Sequence, residues 1–253
     1  MNATSYGTGE LIKFAVSKGF KNIILGLGGS GCCDAGAGAL AALGAVFLDI
    51  DGDEIDFPAG KDLNNIYGVG FTNIVKDINF TFACDVENVF FGKNGAAYVF
   101  AKQKGANDKQ VKELDDGLKM INAFLPRDIR DVKGGICGAL YSVYGGKIKS
   151  GFDILSEAAD LEEKIKASDI VITGEGKTDK QTLMGKLVFK ISELCKKYDK
   201  KCIVMSGDIE NVKLGDKMYS LVEKNISKED AIKNADNLLY EKAKLVIKDL
   251  NKA

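Results

Sequence analysis

The sequence predicts an α/β protein, and three of its features lead to that prediction. Short apolar strands run into glycine-rich loops and then into helices, at residues 21–43 and again at residues 169–198. From about residue 154 onward, helices and strands alternate as they do in a parallel α/β layer. The 253 residues, 45% of them hydrophobic, can bury one large core or two of ordinary size. We expect a mixed α/β domain over residues 1–166 and a parallel-sheet domain over residues 167–253.

The elements of the first domain follow from apolar spacing and from helix caps. Apolar residues cluster on one face of 10–18, and the compact apolar run 21–26 indicates a buried strand. The Ala/Gly-rich segment 35–43 predicts a helix. Asp108 can cap a long helix that ends near Phe124, before Pro126. Further strands are expected at 46–50 and 80–84, and a glycine-rich entry into a helix at 134–140.

The second domain is predicted from the same kinds of signal. Residues 153–166 have the spacing of an amphipathic helix, and 169–173 form a short apolar run typical of a buried strand. A helix over 181–198 and a strand over 202–205 follow. Ser227 and Asp230 resemble a capping pair at the start of the final helix.

Composition excludes several classes of function. The chain contains no His, which removes Ser-His-Asp and Cys-His nucleophiles and every metal site built on imidazole. A net charge of -1 predicts no attraction to nucleic acid. The six Cys residues form no C-x-x-C pair and are expected to be reduced thiols. Without a secretory leader or an apolar stretch of about 20 residues, a cytoplasmic protein without membrane association is expected.

The first candidate site is the loop that joins the strand at 21–26 to the next helix. Gly26, Gly28 and Gly31 have the spacing of a dinucleotide fingerprint, with Asp49 or Asp51 about twenty residues further on. Ser30 and Asp34 also give this loop a hydroxyl and a carboxylate. The loop therefore suits NAD, or a phosphate with a metal ion, or a polyhydroxy acid.

The second candidate site follows the strand at 169–173. Glu175, Lys177 and Asp179 lie in a glycine-containing loop at the carboxyl end of this strand, where open parallel sheets bind ligands. Asp85 has the same placement after the strand at 80–84. Carboxylates and glycine loops without His fit phosphoryl transfer, in which charge neutralisation by Mg²⁺ and a carboxylate proton acceptor suffice. A P-loop motif is absent, because Gly185-Lys186 lacks its preceding glycine and is followed by Leu187.

In these loops the sequence resembles the bacterial glycerate kinase family of the two-domain type. The matching segments occur in family order and extend over nearly the whole chain. The most specific are Cys84-Asp85-Val86 and the run Gly174-Glu175-Gly176 followed by Asp179 and Gln181-Thr182. The others are residues 2–12, 26–43, 95–96 and 103–106, and Gly185-Lys186.

The resemblance implies phosphorylation of glycerate to 2-phosphoglycerate with ATP and Mg²⁺, in a cleft between two α/β domains, one of them flavodoxin-like. It implies that the glycine loop and the loop with Glu175 and Asp179 face this cleft, with Asp85 as a third carboxylate. We predict that Asp85, Glu175 and Asp179 are catalytic and hold Mg²⁺, and the motif leaves open which of them is the base. The predicted substrate or phosphate contacts are Gly28, Gly29, Ser30, Asp34, Lys104, Lys177 and Lys186.

The chain also departs from the family, because it lacks the family's N-terminal third, which includes strands of the flavodoxin-like domain. This departure leaves three hypotheses. The first is a glycerate kinase polypeptide, either a fragment or one half of a split enzyme, with a partner chain that carries the missing strands or with another copy of itself. The second is a module that binds glycerate or nucleotide without catalysis. The third is an NAD-dependent oxidoreductase, which depends on the Gly26-x-Gly28-x-x-Gly31 spacing alone.

Overall fold

A computed structural model describes residues 1–133, 135–223 and 226–250, and the chain divides into two compact units, Met1–Ile154 and Leu155–Ala253. The division falls inside a helix, α6 (Gly151–Ala158). The domain boundary that the sequence places after residue 166 stays a prediction. Gly134, in the second glycine-rich segment, lies outside the described residues.

The first unit is built on a parallel three-stranded sheet with the strand order β1-β4-β5. Ile23 of β1 is paired with Phe80 of β4, and Phe82 of β4 with Ile148 of β5. The strands β2 and β3 form a separate antiparallel pair that is not hydrogen-bonded to this sheet. The strands are β1 (Asn22–Gly26), β2 (Val46–Leu48), β3 (Gly68–Gly70), β4 (Asn79–Ala83) and β5 (Lys147–Lys149).

The core of this unit contains the fully buried side chains of Phe47, Phe82, Phe90 and Leu40. Helices contribute to this core together with the strands. They are α1 (Tyr6–Ser17), α2 (Ala37–Ala42), α3 (Ala96–Phe100), α4 (Asp108–Phe124) and α5 (Ile136–Tyr144), with α6 entered from β5. The close packing of α1 on α2 depends on Gly9, because a Cβ there would overlap the carbonyl oxygen of Ala39.

The expected long helix of this unit is confirmed as α4, but its cap differs. Asn107 is the N-cap, and its side chain and that of Gln110 bond each other's backbone N–H in a reciprocal capping box. Asp108, the cap expected from the sequence, is the first helical residue instead. Asn and Asp are equally good caps, so the sequence did not separate the two neighbouring positions.

The second unit contains a parallel three-stranded sheet with the order β10-β8-β6 and a parallel two-stranded pair, β7-β9. This agrees with the predicted α/β layer. Its strands are β6 (Ile170–Thr173), β7 (Lys177–Thr178), β8 (Lys201–Ser206), β9 (Asp208–Ile209) and β10 (Lys217–Ser220). Its helices, besides the end of α6, are α7 (Leu161–Lys166), α8 (Leu187–Lys197), α9 (Lys228–Lys233) and α10 (Ala235–Leu250).

Three helices predicted as continuous are interrupted. The segment 153–166 breaks between α6 and α7 at Asp160, which has a left-handed φ of 48°. The segment 181–198 begins as a 3₁₀ turn, passes through Gly185 at φ 98°, and only then becomes α8. The final segment breaks after α9 at Asn234. In each case the apolar spacing continues across the break, so periodicity alone did not reveal it. Among the described residues no helix is long and apolar enough to cross a membrane.

Candidate active site

The glycine loop of the first unit leaves the carboxyl end of β1 and leads to α2. The N–H of Leu27 bonds the carbonyl of Ala83 at 3.2 Å, which ties the start of the loop to the neighbouring strand. Gly29 has a positive φ of 73°, where a side chain would be strained. At Gly28, which is exposed and has an ordinary φ, an added Cβ would meet no protein atom within 4 Å. No packing contact therefore requires glycine at 28, and its backbone is open to a ligand.

Asp34, at the end of this loop, is completely buried and anchors the first turns of two helices. Its Oδ2 accepts hydrogen bonds from the N–H and hydroxyl of Ser5, at 2.6 and 2.7 Å, and from the N–H of Gly38 at 3.3 Å. Its Oδ1 accepts from the N–H of Gly36 at 3.2 Å. The Ser5 hydroxyl also accepts from the N–H of Ala39 at 2.9 Å. Asp34 therefore fixes the loop, and its predicted contact with a ligand stays a prediction.

Lys104 reaches the same loop from a 3₁₀ turn, Lys102–Lys104, that follows α3. Its ammonium donates to the carbonyl oxygen of Cys32 at 2.8 Å and to the hydroxyl of Ser30 at 3.2 Å. Lys104 is half-buried, and the part of the chain that the structure describes contains no carboxylate paired with it. A cation held in this way attracts an anionic ligand.

These residues surround a cavity of about 170 Å³ in the first unit. Polar groups of the loop, of Gln103 and of Lys104 form part of its wall, and most of the remainder is apolar or sulfur-containing. The lining residues are Leu27, Gly28, Gly29, Ser30, Cys32, Cys33, Asp34, Ala35, Cys84, Val86, Ala96, Ala97, Phe100, Gln103, Lys104, Leu118, Gly135 and Ile136. The cavity therefore brings together the predicted residues 28, 29, 30, 34 and 104.

The thiols of Cys32 and Cys33, which line this cavity, are held in their protonated form. Burial, followed by the neighbouring Asp34 carboxylate, raises the pKa of Cys32 to about 12. Burial also raises the pKa of Cys33, against an opposing effect of Lys104. All six cysteines are free, as the sequence predicts. A thiol with a raised pKa is a poor nucleophile at neutral pH, so these side chains shape the cavity and do not supply a reactive thiolate.

In the second unit, Glu175 lies in the loop between β6 and β7 and is held by a chain of buried hydroxyls. Its Oε1 accepts from Thr182 Oγ1 at 2.6 Å and from Thr178 Oγ1 at 3.1 Å. Thr178 Oγ1 also lies 2.7 Å from Ser206 Oγ, at the end of β8. A threonine hydroxyl has one proton, so Ser206 donates to Thr178 while Thr178 donates to Glu175. This chain fixes the orientation of the Glu175 carboxylate.

A close backbone contact explains Gly174, one of the two glycines beside Glu175, whereas a Cβ on Gly176 would meet no protein atom within 4 Å. A Cβ on Gly174 would overlap the carbonyl oxygen of Met205 in β8. The carbonyl of Glu175 accepts from the N–H of Gly207 at 3.0 Å, and that of Gly176 accepts from the N–H of Asp208 at 3.1 Å. The loop therefore continues the pairing of β6 with β8 beyond the ends of both strands.

Lys177 lies in β7 and Asp179 directly follows it, and both are partly exposed, as Glu175 is. Asp179 Oδ1 accepts from the N–H of Gln181 at 2.8 Å, and its Oδ2 lies 3.8 Å from the Lys177 ammonium. Lys177 also pairs with Glu210 at 2.9 Å, and this carboxylate raises the pKa of Lys177. Lys186 is exposed at the N-cap position of α8. The roles of Asp179, Lys177 and Lys186 in binding a substrate stay predictions.

Asp85 follows β4 in the first unit and is exposed. Its Oδ1 accepts from the N–H of Gly151 at 3.0 Å, at the first turn of α6. It is not among the residues that line the cavity, although Cys84 and Val86 on either side of it are. Asp85 thus belongs to the first unit, whereas Glu175 and Asp179 belong to the second.

The predicted Mg²⁺ site rests on carboxylates alone. Within the described ranges, no group of three or more His, Cys, Asp or Glu side chains is arranged to hold a metal ion. Mg²⁺ in phosphoryl transfer is commonly bound through one or two carboxylates together with substrate phosphates. Glu175 and Asp179, which lie four residues apart on either side of the short strand β7, offer carboxylate oxygens of that kind.

The structure contradicts the dinucleotide interpretation of the glycine loop. That fingerprint belongs to a unit in which the strand after the helix pairs in parallel with the strand before the loop. Here the strand after α2 is β2, which pairs antiparallel with β3, whereas the parallel neighbour of β1 is β4. Asp49, the proposed ribose ligand, accepts hydrogen bonds from the N–H groups of Asp51 and Asp53 in a tight turn.

Sequence reasoning missed the residues that orient these side chains. Ser5, Thr178, Thr182 and Ser206 are buried hydroxyls bonded, directly or through one another, to Asp34 or Glu175. Thr178 and Thr182 lie inside the motif already singled out, so their spacing from Glu175 was an available signal. The contacts of Ser5 and Ser206 join segments about thirty residues apart, which no local pattern indicates.

Comparison with known proteins identifies the family. The model of the glycerate kinase family matches residues 1–251. The chain belongs to the glycerate kinase family. The Escherichia coli (strain K12) protein named glycerate 2-kinase is 42% identical over 217 residues, which cover 81% of this chain and 57% of that protein. A Bacillus cereus (strain ATCC 10987 / NRS 248) glycerate kinase is 34% identical over 259 residues, 95% of this chain and 68% of the relative.

A solved structure extends the likeness to the fold. The crystal structure of a protein assigned as glycerate kinase 2 from Salmonella typhimurium LT2 matches with a TM-score of 0.84 and 34% sequence identity. The match covers 98% of this chain and 69% of that one. The predicted α/β fold class and family are thereby confirmed. The chain spans between 57% and 69% of the length of these three proteins.

Proposed function

We propose that this chain phosphorylates glycerate at the expense of ATP, either alone or together with further polypeptide. The observation that carries the proposal is the extent of the family match, which runs over residues 1–251 and so includes both the glycine loop and the Glu175 loop. The name of the Escherichia coli relative, glycerate 2-kinase, supports 2-phosphoglycerate as the product.

In this proposal a carboxylate accepts the proton of the attacking glycerate hydroxyl. Glu175 is the best oriented of the three candidates, because two hydroxyls hold its Oε1. Asp179 follows the short strand β7, and its carboxylate lies 3.8 Å from the ammonium of Lys177. Asp85, which is exposed and bonded to Gly151, is the third candidate.

Mg²⁺ would be held by Glu175 and Asp179, and when bound it neutralises the charge that develops on the transferred phosphoryl group. Lys104 in the first unit, and Lys177 and Lys186 in the second, supply positive charge for the anionic groups of glycerate and ATP. Asp34 and Ser30 keep the glycine loop in position for these contacts. Charge neutralisation and positioning are the main contributions a protein makes to phosphoryl transfer.

We further propose a partner for the second unit, either a chain that supplies further strands or another copy. Among the described strands β6 pairs with β8 alone, so one edge of β6 offers unpaired backbone groups. Ile172 of β6 is 56% exposed. An open edge with an exposed apolar residue favours the addition of a strand.

The test is a coupled ADP-release assay on the purified chain with Mg²⁺-ATP, with and without D-glycerate. Glycerate-dependent turnover that is lost in Glu175→Gln or Asp179→Asn would support the kinase proposal. Turnover that appears only when the N-terminal part of a longer relative is added would support the kinase together with the partner. No turnover under either condition would contradict catalysis, and glycerate binding without turnover would favour the binding module.

A further inference from the structure

We infer that the cavity beneath the glycine loop is the site for the carboxylate end of the three-carbon hydroxy acid, and that it does not hold the triphosphate of the nucleotide. This inference rests on the proposed function and makes it more specific, because it assigns one of the two substrates to the first unit.

The size of the cavity suits a small acid. Its volume is about 170 Å³. Pockets that enclose drug-sized ligands, among which a nucleoside triphosphate would count as large, measure about 300–1,000 Å³. A buried cavity of about 150 Å³ takes a benzene-sized molecule. Glycerate is close to benzene in its number of heavy atoms, so the acid fits this cavity and ATP does not.

The charge of the cavity wall suits a single carboxylate. Lys104 is the one cation among the described lining residues. An ammonium has three donors, and Lys104 uses one on the Cys32 carbonyl and one on the Ser30 hydroxyl. A third donor remains to bind a carboxylate oxygen. A single cation balances the single negative charge of a carboxylate, whereas a triphosphate carries several charges.

The remaining wall is compatible with a small organic acid. Asp34 is the one carboxylate among the described lining residues, and its oxygens accept from Ser5, Gly36 and Gly38. Its charge is thus balanced by hydrogen-bond donors before any ligand enters. The thiols of Cys32 and Cys33 are protonated, because burial raises their pKa. They add no negative charge that would repel an anion.

The open backbone of the loop completes the site. Gly28 lines the cavity, and an added Cβ there would meet no protein atom within 4 Å. The space in front of Gly28 is therefore free, and a carboxylate or hydroxyl oxygen can approach the backbone of the loop. Successive N–H groups in such a loop form an anion-binding concavity.

The experiment is calorimetric titration of the full chain with D-glycerate, and separately with the non-hydrolysable analogue adenylyl imidodiphosphate plus Mg²⁺. Each titration is repeated with the other ligand at saturation, in case the two bind in order. Lys104→Met removes the cation, and Cys33→Met fills the cavity while keeping every charge. Lys93→Met, an exposed lysine of the same unit, is the matched control.

We expect Lys104→Met to weaken glycerate binding by about 10- to 100-fold, as for a lost hydrogen bond to a charged group. Cys33→Met should also weaken it, while neither variant changes the affinity for the nucleotide analogue. Unchanged thermal unfolding would show that the variants remain folded. If Lys104→Met does not fold, Cys33→Met still tests the inference.

Three results would overturn the inference. Loss of nucleotide binding with glycerate binding retained would make the cavity a phosphate site. Glycerate binding that neither variant changes would place the acid elsewhere and leave the proposed function intact. If the unsubstituted chain binds neither ligand, alone or with the N-terminal part of a longer relative added, the proposed function and the assignment of the cavity both fail.

Discussion

The hydroxyl of Thr182 donates a hydrogen bond of 2.6 Å to Oε1 of Glu175, seven residues earlier in the chain. Thr182 is completely buried and begins the 3₁₀ turn that precedes α8. Its hydroxyl oxygen also accepts from the N–H of Asp179 at 3.1 Å. One side chain therefore sets the position of both acidic residues of the loop.

Because Thr182 orients both acidic residues, we predict that Thr182→Val lowers the rate of turnover. Valine keeps the shape of threonine but cannot bond Glu175 or Asp179. A lost hydrogen bond to a charged group is worth about 1.5–3 kcal/mol, or roughly 10- to 100-fold in rate. The measurement is glycerate-dependent ADP release under whichever condition supports turnover. Thr182→Ser retains the hydroxyl and is the control; equal activity in Val and Ser variants would refute the role of Thr182.

The glycine loop yields a paired prediction. Gly28→Ala should leave the melting temperature unchanged, because the new methyl group meets no protein atom within 4 Å. It should nevertheless weaken binding of the ligand that approaches this loop, by steric exclusion. Gly29→Ala should lower stability by about 1–2 kcal/mol, because Gly29 has a φ of 73°. Thermal unfolding and calorimetric titration of both variants check this, and a destabilised Gly28→Ala protein would contradict the open geometry of the loop.

Asp34 is predicted to be important for stability. Asp34→Asn keeps the size of the side chain but directs an NH₂ group at N–H and O–H donors that now bond a carboxylate. We expect a loss of about 2–4 kcal/mol in the free energy of unfolding, measured by urea denaturation. Ser5→Ala, which removes one of the donors, should cost about 1 kcal/mol. A fully stable Asp34→Asn variant would show that the buried carboxylate is not needed for folding.

The raised pKa of Cys32 predicts a loss of stability at alkaline pH. The folded pKa of about 12 is above the ordinary value of 9.0, so the folded state keeps the thiol proton that the unfolded chain releases. The contribution is fully present below pH 9 and falls between pH 9 and 12, by at most about 1.4 kcal/mol per pH unit. Urea unfolding at pH 7 and pH 10 measures it. Cys32→Ala should show a smaller decrease between these pH values, and an identical decrease would contradict the assignment.

The sequence by itself determined the elements that carry the chemistry. Local patterns predict the strand–glycine loop–helix order at β1, the buried strand β6 with Glu175 in the loop after it, and the long helix α4. The short strand β7 that follows this loop was not predicted. The family could also be inferred, because the motifs around Asp85 and Glu175 are specific runs of adjacent residues. Each of these features depends on residues within one or two turns of each other.

Tertiary structure decided which of these residues share a site. Lys104 meets Ser30 across 74 positions of the chain, and Ser206 meets Thr178 across 28. The pairing of β1 with β4 excluded the dinucleotide fold, although the glycine spacing fits it. Hydrogen bonds between distant segments depend on how sheets and helices pack, and local periodicity does not encode that packing. For this reason the sequence indicated the reactive groups, and only the fold showed what orients them.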